Sequence, residues 1–173
     1  YPRSARLRAA QVLTVGGTTT ATLRTKGAPD FMALAALFPE IPFLIVGPRE
    51  AEGMATLRQI NAPNVRFLGP LYREDLIQVM QQSTVYAQLS AYESFGMALA
   101  EAMLCGCAPV VTDRGALPEV VGDAGWVAPY GDLAAYACAI KQALAAPASA
   151  GENARQRIVN EFSLERRRQC LLQ

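Results

Sequence analysis

The stretch SAYESFGMALAEAMLCGCAPVV, Ser90 to Val111, carries two glutamates, Glu93 and Glu101, with seven residues between them around a Phe-Gly step. Glu101 sits among Ala, Leu and Met, where an unpaired carboxylate is costly to bury, so it needs solvent or a partner. If a helix starts near Phe95, the amides of Phe95, Gly96 and Met97 belong to its unsatisfied first turn, and Gly96 lets a ligand approach the backbone. Such a turn takes an anion. A diphosphate there gains from the amide hydrogen bonds and from the positive end of the helix dipole. Glu93 then lies in the loop before the helix, and Glu101 about 7.5 Å along it from Gly96. Carboxylates accept hydrogen bonds and repel phosphate, so their partners beside a diphosphate are neutral hydroxyls, such as those of a sugar and a ribose. The spacing equally allows Glu93 as a capping acid of the helix and Glu101 as a salt-bridged surface residue.

The elements that would position these groups follow from hydrophobic patterning. Short apolar runs alternate with segments of helical spacing. Strands are expected at Gln11 to Gly17, Pro42 to Gly47, Asn64 to Gly69, Thr84 to Ser90 and Ala108 to Asp113, with a brief extended piece at GWVAP. Helices are expected over Ala28 to Phe38, Glu50 to Ile60, Arg73 to Gln82, Phe95 to Cys105 and Leu117 to Val121, then from Asp132 onward with breaks at Pro147 and near Ser163. Pro29 suits a first helical turn and Gly106 a helix end. Strand-helix alternation with nearly continuous apolar strands implies an α/β, Rossmann-like, three-layer domain over residues 1–173, a mostly parallel sheet of about six strands with helices on both faces. Ligands bind such sheets outside the carboxyl ends of the strands, which singles out the loops Gly16 to Gly27, Gly69 to Arg73 and Ser90 to Gly96.

Composition narrows the chemistry. The chain of 173 residues is 51% hydrophobic and 18% charged with a net charge of +1, which fits a packed core and gives no nucleic-acid surface. No histidine is present, so a catalytic imidazole and a His-ligated metal are excluded. Cys105, Cys107, Cys138 and Cys170 lack metal-ligand spacing, and Cys105-Gly106-Cys107 is one residue short of a redox pair, so they read as buried or incidental thiols. The Arg166 to Arg168 run reads as a solvated helix face, with a second domain or an anionic membrane surface as alternatives. No run is long enough to span a membrane and no signal peptide is visible. The first residue is Tyr1 rather than Met, so the sequence is expected to be an excerpt of a longer chain.

The segment SAYESFGMALAEAMLCGCAPVVTDRGALPEVVGDAGWVAP resembles the donor-binding segment of family-four retaining glycosyltransferases, which have the two-domain glycosyltransferase B architecture. The matching features are S-x-x-E-x-F-G, the second Glu after seven residues, E-A-M running into C-G, P-V-V, and G-x-L-P-E-V-V. The resemblance covers about Val12 to Ala146 and includes Val15-Gly16, Lys26-Gly27, Phe43 to Gly47 and Asn64 to Gly69. It implies the C-terminal, nucleotide-sugar-binding half of such an enzyme. It also implies retention at the anomeric carbon. A cytoplasmic location is expected, with peripheral contact at the inner face of a membrane as an alternative, and the amides, helix N-terminus and Lys26 are expected to stabilise the leaving group without a metal or other cofactor.

Within the resemblance, Glu93 contacts donor-sugar hydroxyls and Glu101 the ribose. Lys26 neutralises the phosphates, Ser94 and the amides of Phe95, Gly96 and Met97 hold sugar and diphosphate, and the Phe67-Leu68 backbone edges the base. Leu89, Tyr92 and Ser94 are the positions expected to tune sugar choice. The family usually has an Arg just after the first V-G, where this chain has Gly17 and a longer loop, GGTTTATLRTKG. Arg24 is expected to stand in for it. The N-terminal acceptor domain has no counterpart in the sequence, so the chain alone is expected to bind a nucleotide sugar weakly and transfer nothing. A sugar-nucleotide epimerase and a non-catalytic nucleotide-binding or interaction module are the alternatives; the first fits the two-glutamate segment less well.

Overall fold

A computed structural model describes residues 8–171, with the side chains of 167, 170 and 171 left aside. Six strands form one parallel sheet: β1 (Ala9–Val15), β2 (Phe43–Val46), β3 (Val65–Gly69), β4 (Ser83–Gln88), β5 (Ala108–Thr112) and β6 (Trp126–Ala128). Their order is β3-β2-β1-β4-β5-β6, with every neighbouring pair parallel. The helices are α1 (Ala28–Ala36), α2 (Ala51–Leu57), α3 (Arg73–Gln82), α4 (Met97–Leu104), α5 (Leu117–Val121), α6 (Leu133–Ala145), α7 (Ser149–Glu161) and α8 (Leu164–Leu171).

The apolar strands have both faces covered. Every residue of β2 and of β5 is buried. On one face Val12, Phe43, Ile45, Val85 and Val110 pack under α1, α2 and α6; on the other Leu13, Leu44, Tyr86 and Val111 pack under α3, α4, α5 and α7. Each such side chain contributes about 1.5–3 kcal/mol of burial, so the two apolar layers, rather than helix propensity, hold the domain together. Edge strand β3 differs. It alternates half-buried and exposed residues, with Arg66 and Leu68 facing outward.

The strand order reverses between β1 and β4. The helices that follow these two strands, α1 and α4, lie on opposite faces of the sheet, which leaves a crevice at its carboxyl edge. The cysteine expectation holds for Cys105 and Cys107, whose thiols burial pushes up to about 11 and about 12. Cys138 is exposed, and Cys170 lies outside the described side chains. Arg166 and Arg168 are exposed on α8, as expected for a solvated face, whereas the Arg167 side chain is outside the described set. Among the described residues no helix is long and apolar enough to cross a membrane.

Candidate functional site

The loops after β1 and β4 meet at the crevice. The first runs from Gly16 to Gly27 and folds back through turns, with Lys26 N–H donating to the Thr22 carbonyl and Gly27 N–H to that of Arg24. Ala91 N–H then donates to the Thr25 carbonyl at 2.9 Å, tying the two loops together. Gly27 has φ 70°, and a Cβ there would lie 2.1 Å from the Leu89 carbonyl oxygen. Only glycine fits. Its absence of a side chain lets the residue before it, Lys26, stand against the end of β4.

From this position Lys26 Nζ donates to Glu93 Oε1 at 2.6 Å. Glu93 is not the helix cap that its position also allowed, because α4 takes no side-chain hydrogen bond at its N-cap. Its side chain is 12% exposed, and its Oε1 accepts from Gln88 Nε2 at 2.7 Å and from Ser90 Oγ at 3.1 Å as well as from Lys26. A carboxylate so nearly removed from water needs that many donors. The loop between β5 and α5 holds its backbone: Ala116 N–H donates to the Glu93 carbonyl at 3.0 Å. Gly115, at φ 58°, packs so closely that a Cβ would lie 2.2 Å from that same oxygen.

The helix after Glu93 begins later than expected. Its first residue is Met97, with Gly96 as N-cap at φ 87°, and the first intrahelical bond runs from Ala100 N–H to the Gly96 carbonyl. The four unpartnered amides of the first turn are consequently those of Gly96, Met97, Ala98 and Leu99, with Phe95 just before them. Phe95 precedes the helix because Gly96, at φ 87°, interrupts the helical backbone; the Phe95 ring stands edge-on to Phe162 with centroids 5.4 Å apart. Met97 is 65% exposed and Ser94 is exposed, so the mouth of the helix is open to a ligand.

Glu101 is half-buried on α4. It lines a largely apolar cavity of about 630 Å³ with Met97, Leu104, Phe162, Leu164 and Arg166, between α4 and the α7–α8 junction. Neither Lys26 nor Glu93 is part of that lining. The two glutamates thus face different surroundings.

The remaining expectations divide. Phe67 packs against the apolar layer under α1 and α6, while Leu68 is 37% exposed on edge strand β3. Arg24 is exposed. Leu89 is only 1% exposed, so its side chain cannot tune sugar choice; Tyr92, 66% exposed, and Ser94 remain open for that role. Two features escaped the sequence reading. One is the buried polar set Gln88 and Ser90, signalled only by polar letters in an apolar strand. The other is Arg49, whose guanidinium lies over Gly69, with three of its atoms 3.5–3.9 Å from where a Cβ would stand.

Residues 20–161 match the family model described as "Glycosyl transferases group 1". The chain belongs to this family. Among curated relatives, the O-antigen chain mannosyltransferase B of Escherichia coli is 41% identical over 80 residues, covering 46% of this chain and 21% of the relative. The D-inositol 3-phosphate glycosyltransferase of Mycolicibacterium gilvum (strain PYR-GCK) is 35% identical over 105 residues, covering 56% of this chain and 24% of the relative. Sucrose-phosphate synthase from Thermosynechococcus elongatus superposes with a TM-score of 0.81 at 27% identity, over 94% of this chain and 44% of that one. The matches thus span about a quarter or less of the length of those curated relatives.

Proposed function

We propose that this chain is the donor-binding half of a two-domain glycosyltransferase and takes a nucleoside-diphosphate sugar. The observation that carries the reading is the Lys26–Glu93 pair at the strand-order reversal, 2.6 Å apart, beside the uncapped first turn of α4. Glycosyl transfer expels a nucleoside diphosphate, so the catalytic need is to stabilise negative charge growing on the leaving phosphate. Lys26 and the first-turn amides of α4 supply that charge stabilisation without a resident metal. Glu93 orients the sugar through its hydroxyls, Glu101 takes the ribose, and the Phe67–Leu68 backbone edges the base.

In this reading the anomeric configuration is retained, with the leaving phosphate helping to deprotonate the acceptor. The acceptor belongs to a partner domain on the N-terminal side, so the chain alone binds its nucleotide weakly and turns nothing over. The full-length protein works in the cytoplasm, and exposed Arg166 and Arg168 on α8 give it a basic face for peripheral contact with an anionic membrane. The relatives' names differ in sugar and acceptor, and neither is carried over.

Thermal unfolding with rising concentrations of UDP, GDP and ADP tests the reading. A diphosphate that fits stabilises the chain by about 2.7 kcal/mol at a hundred times its Kd. If none of the three moves the transition at any concentration up to millimolar, the donor-binding reading is wrong and a non-catalytic interaction module takes its place.

A further inference from the structure

Tyr86, Gln88 and Ser90 are alternate residues along β4 and just beyond it, so their side chains share one face. All three are buried, at 0%, 4% and 0% exposure, and the residues between them, Ala87 and Leu89, pack into the apolar layer on the opposite face. Tyr86 OH donates to Gln88 Oε1 at 2.8 Å; Gln88 Nε2 donates to Ser90 Oγ at 3.1 Å and to Glu93 Oε1 at 2.7 Å; Ser90 Oγ donates to Glu93 Oε1 at 3.1 Å. Buried polar groups are normally satisfied, but here the whole chain of bonds ends on one atom.

Its polarity is fixed from that end. A carboxylate accepts and does not donate, so the amide NH2 of Gln88 must face Glu93 and the amide oxygen must face Tyr86. Tyr86 must then donate. Burial, first, and the nearby Glu93 charge push its phenol upward, while a backbone hydrogen bond at Val15 acts the other way, so the proton stays on Tyr86. Together with Lys26, three donors converge on the inner oxygen of the carboxylate. Among the described residues none reaches the outer oxygen. Turning the carboxylate out of its plane would break all three bonds at once.

We propose that Gln88, held in turn by Tyr86, is a positioning residue that aims the outer oxygen of Glu93 at a hydroxyl of the donor sugar. This rests on the donor-binding reading. Gln88 itself touches no ligand; it decides how well the sugar, and not the diphosphate, is recognised.

Calorimetry on the chain with UDP, UDP-glucose, GDP and GDP-mannose tests it, using whichever pair the unaltered chain binds. Gln88→Met, which keeps length and burial but loses both hydrogen-bonding ends, is expected to weaken the sugar nucleotide about tenfold and the diphosphate less than twofold. Tyr86→Phe, which removes one hydroxyl, is expected to weaken the sugar nucleotide about threefold with the same selectivity. If Gln88→Met does not fold by circular dichroism, Tyr86→Phe decides alone. A folded variant that weakens both ligands in step, or neither, overturns the proposal, because a merely structural role gives that result. An unaltered chain that gains nothing from the sugar also overturns it, while leaving the diphosphate site intact. Failure of the unaltered chain to bind any of the four probes removes the donor-binding reading and the positioning proposal together.

Discussion

Both ends of the parallel sheet carry buried or half-buried cations, and they use them differently. At the amino ends of the strands, Arg8 donates to the carbonyls of Ser83 at 2.6 Å, of Met80 at 3.3 Å and of Cys105, and Arg155 donates to the carbonyl of Leu104. Arg157 does the same for Glu119 and Val120 at the end of α5. These are the orphan carbonyls of helix C-termini, where the dipole favours positive charge. At the carboxyl ends, Lys26 instead faces a side-chain carboxylate, with 34% of its own side chain exposed. Those carbonyls stay with donors of the fold, Met80 accepting from Cys107 Sγ at 3.0 Å as well as from Arg8, whereas an ion pair at a crevice can be shared with an incoming anion. Cations at one end therefore serve the fold, whereas Lys26 at the other stands where the proposed diphosphate would bind.

The largest expected effect separates the two ends. Arg8→Ala removes three hydrogen bonds to backbone carbonyls at once and should cost about 3 kcal/mol of stability, read as a fall of roughly 6–12 °C in Tm. Nucleoside diphosphate binding should be unchanged at a temperature where the variant is folded. Lys26→Ala should do the reverse: calorimetry should show about a 30-fold loss of diphosphate affinity, as expected for a charge-assisted contact. Its Tm should move far less than that of Arg8→Ala. If Lys26→Ala proves the more destabilising change and leaves affinity intact, the contrast between the two ends is wrong.

A finer comparison lies within the ligand end, between the two glutamates. Glu93 is locked by Lys26, Gln88 and Ser90, whereas Glu101 stands on α4 beside an apolar cavity. Glu93→Ala should weaken a sugar nucleotide about tenfold and largely spare the diphosphate; Glu101→Ala should weaken both about tenfold under the proposed ribose contact. Equal losses of both ligands in both variants would erase the division of labour.

How much of this the sequence could reveal depended on the range of each interaction. Apolar strands and helical periodicity are local signals, and α3 and α5 fall on the expected residues, Arg73–Gln82 and Leu117–Val121. The start of α4 was misplaced by two residues because Gly96 takes a left-handed φ of 87° and holds the helix off until Met97, a conformation its letter permits but does not announce. Lys26 and Glu93 could be named separately through the family motif, yet their contact depends on Gly27 fitting against Leu89, which only the fold shows. Gln88 gave a weaker signal: a polar residue in a buried strand demands a partner, but its identity is set by tertiary structure. Leu89 shows the opposite failure, since its place beside the motif made it a candidate for sugar contact while its side chain belongs to the core.

The smallest effect concerns the arginine that the family usually has after the first V-G and this chain lacks. Arg24 shares the loop of Lys26, is exposed, and precedes it by two residues. Arg49, also exposed, comes from the loop after β2 and lies over Gly69 at the end of β3. An exposed cation reaching a phosphate gains little and is screened by salt, so Arg24→Ala should lower diphosphate affinity only about threefold at low ionic strength. The difference should shrink as salt is raised. If Arg24→Ala changes nothing at low salt while Lys26→Ala weakens binding, Arg24 is not the substitute. Arg49→Ala is then the informative comparison. A loss confined to intact nucleotides, absent with inorganic pyrophosphate, would place Arg49 at the base, and an equal loss with both would place it at the phosphates.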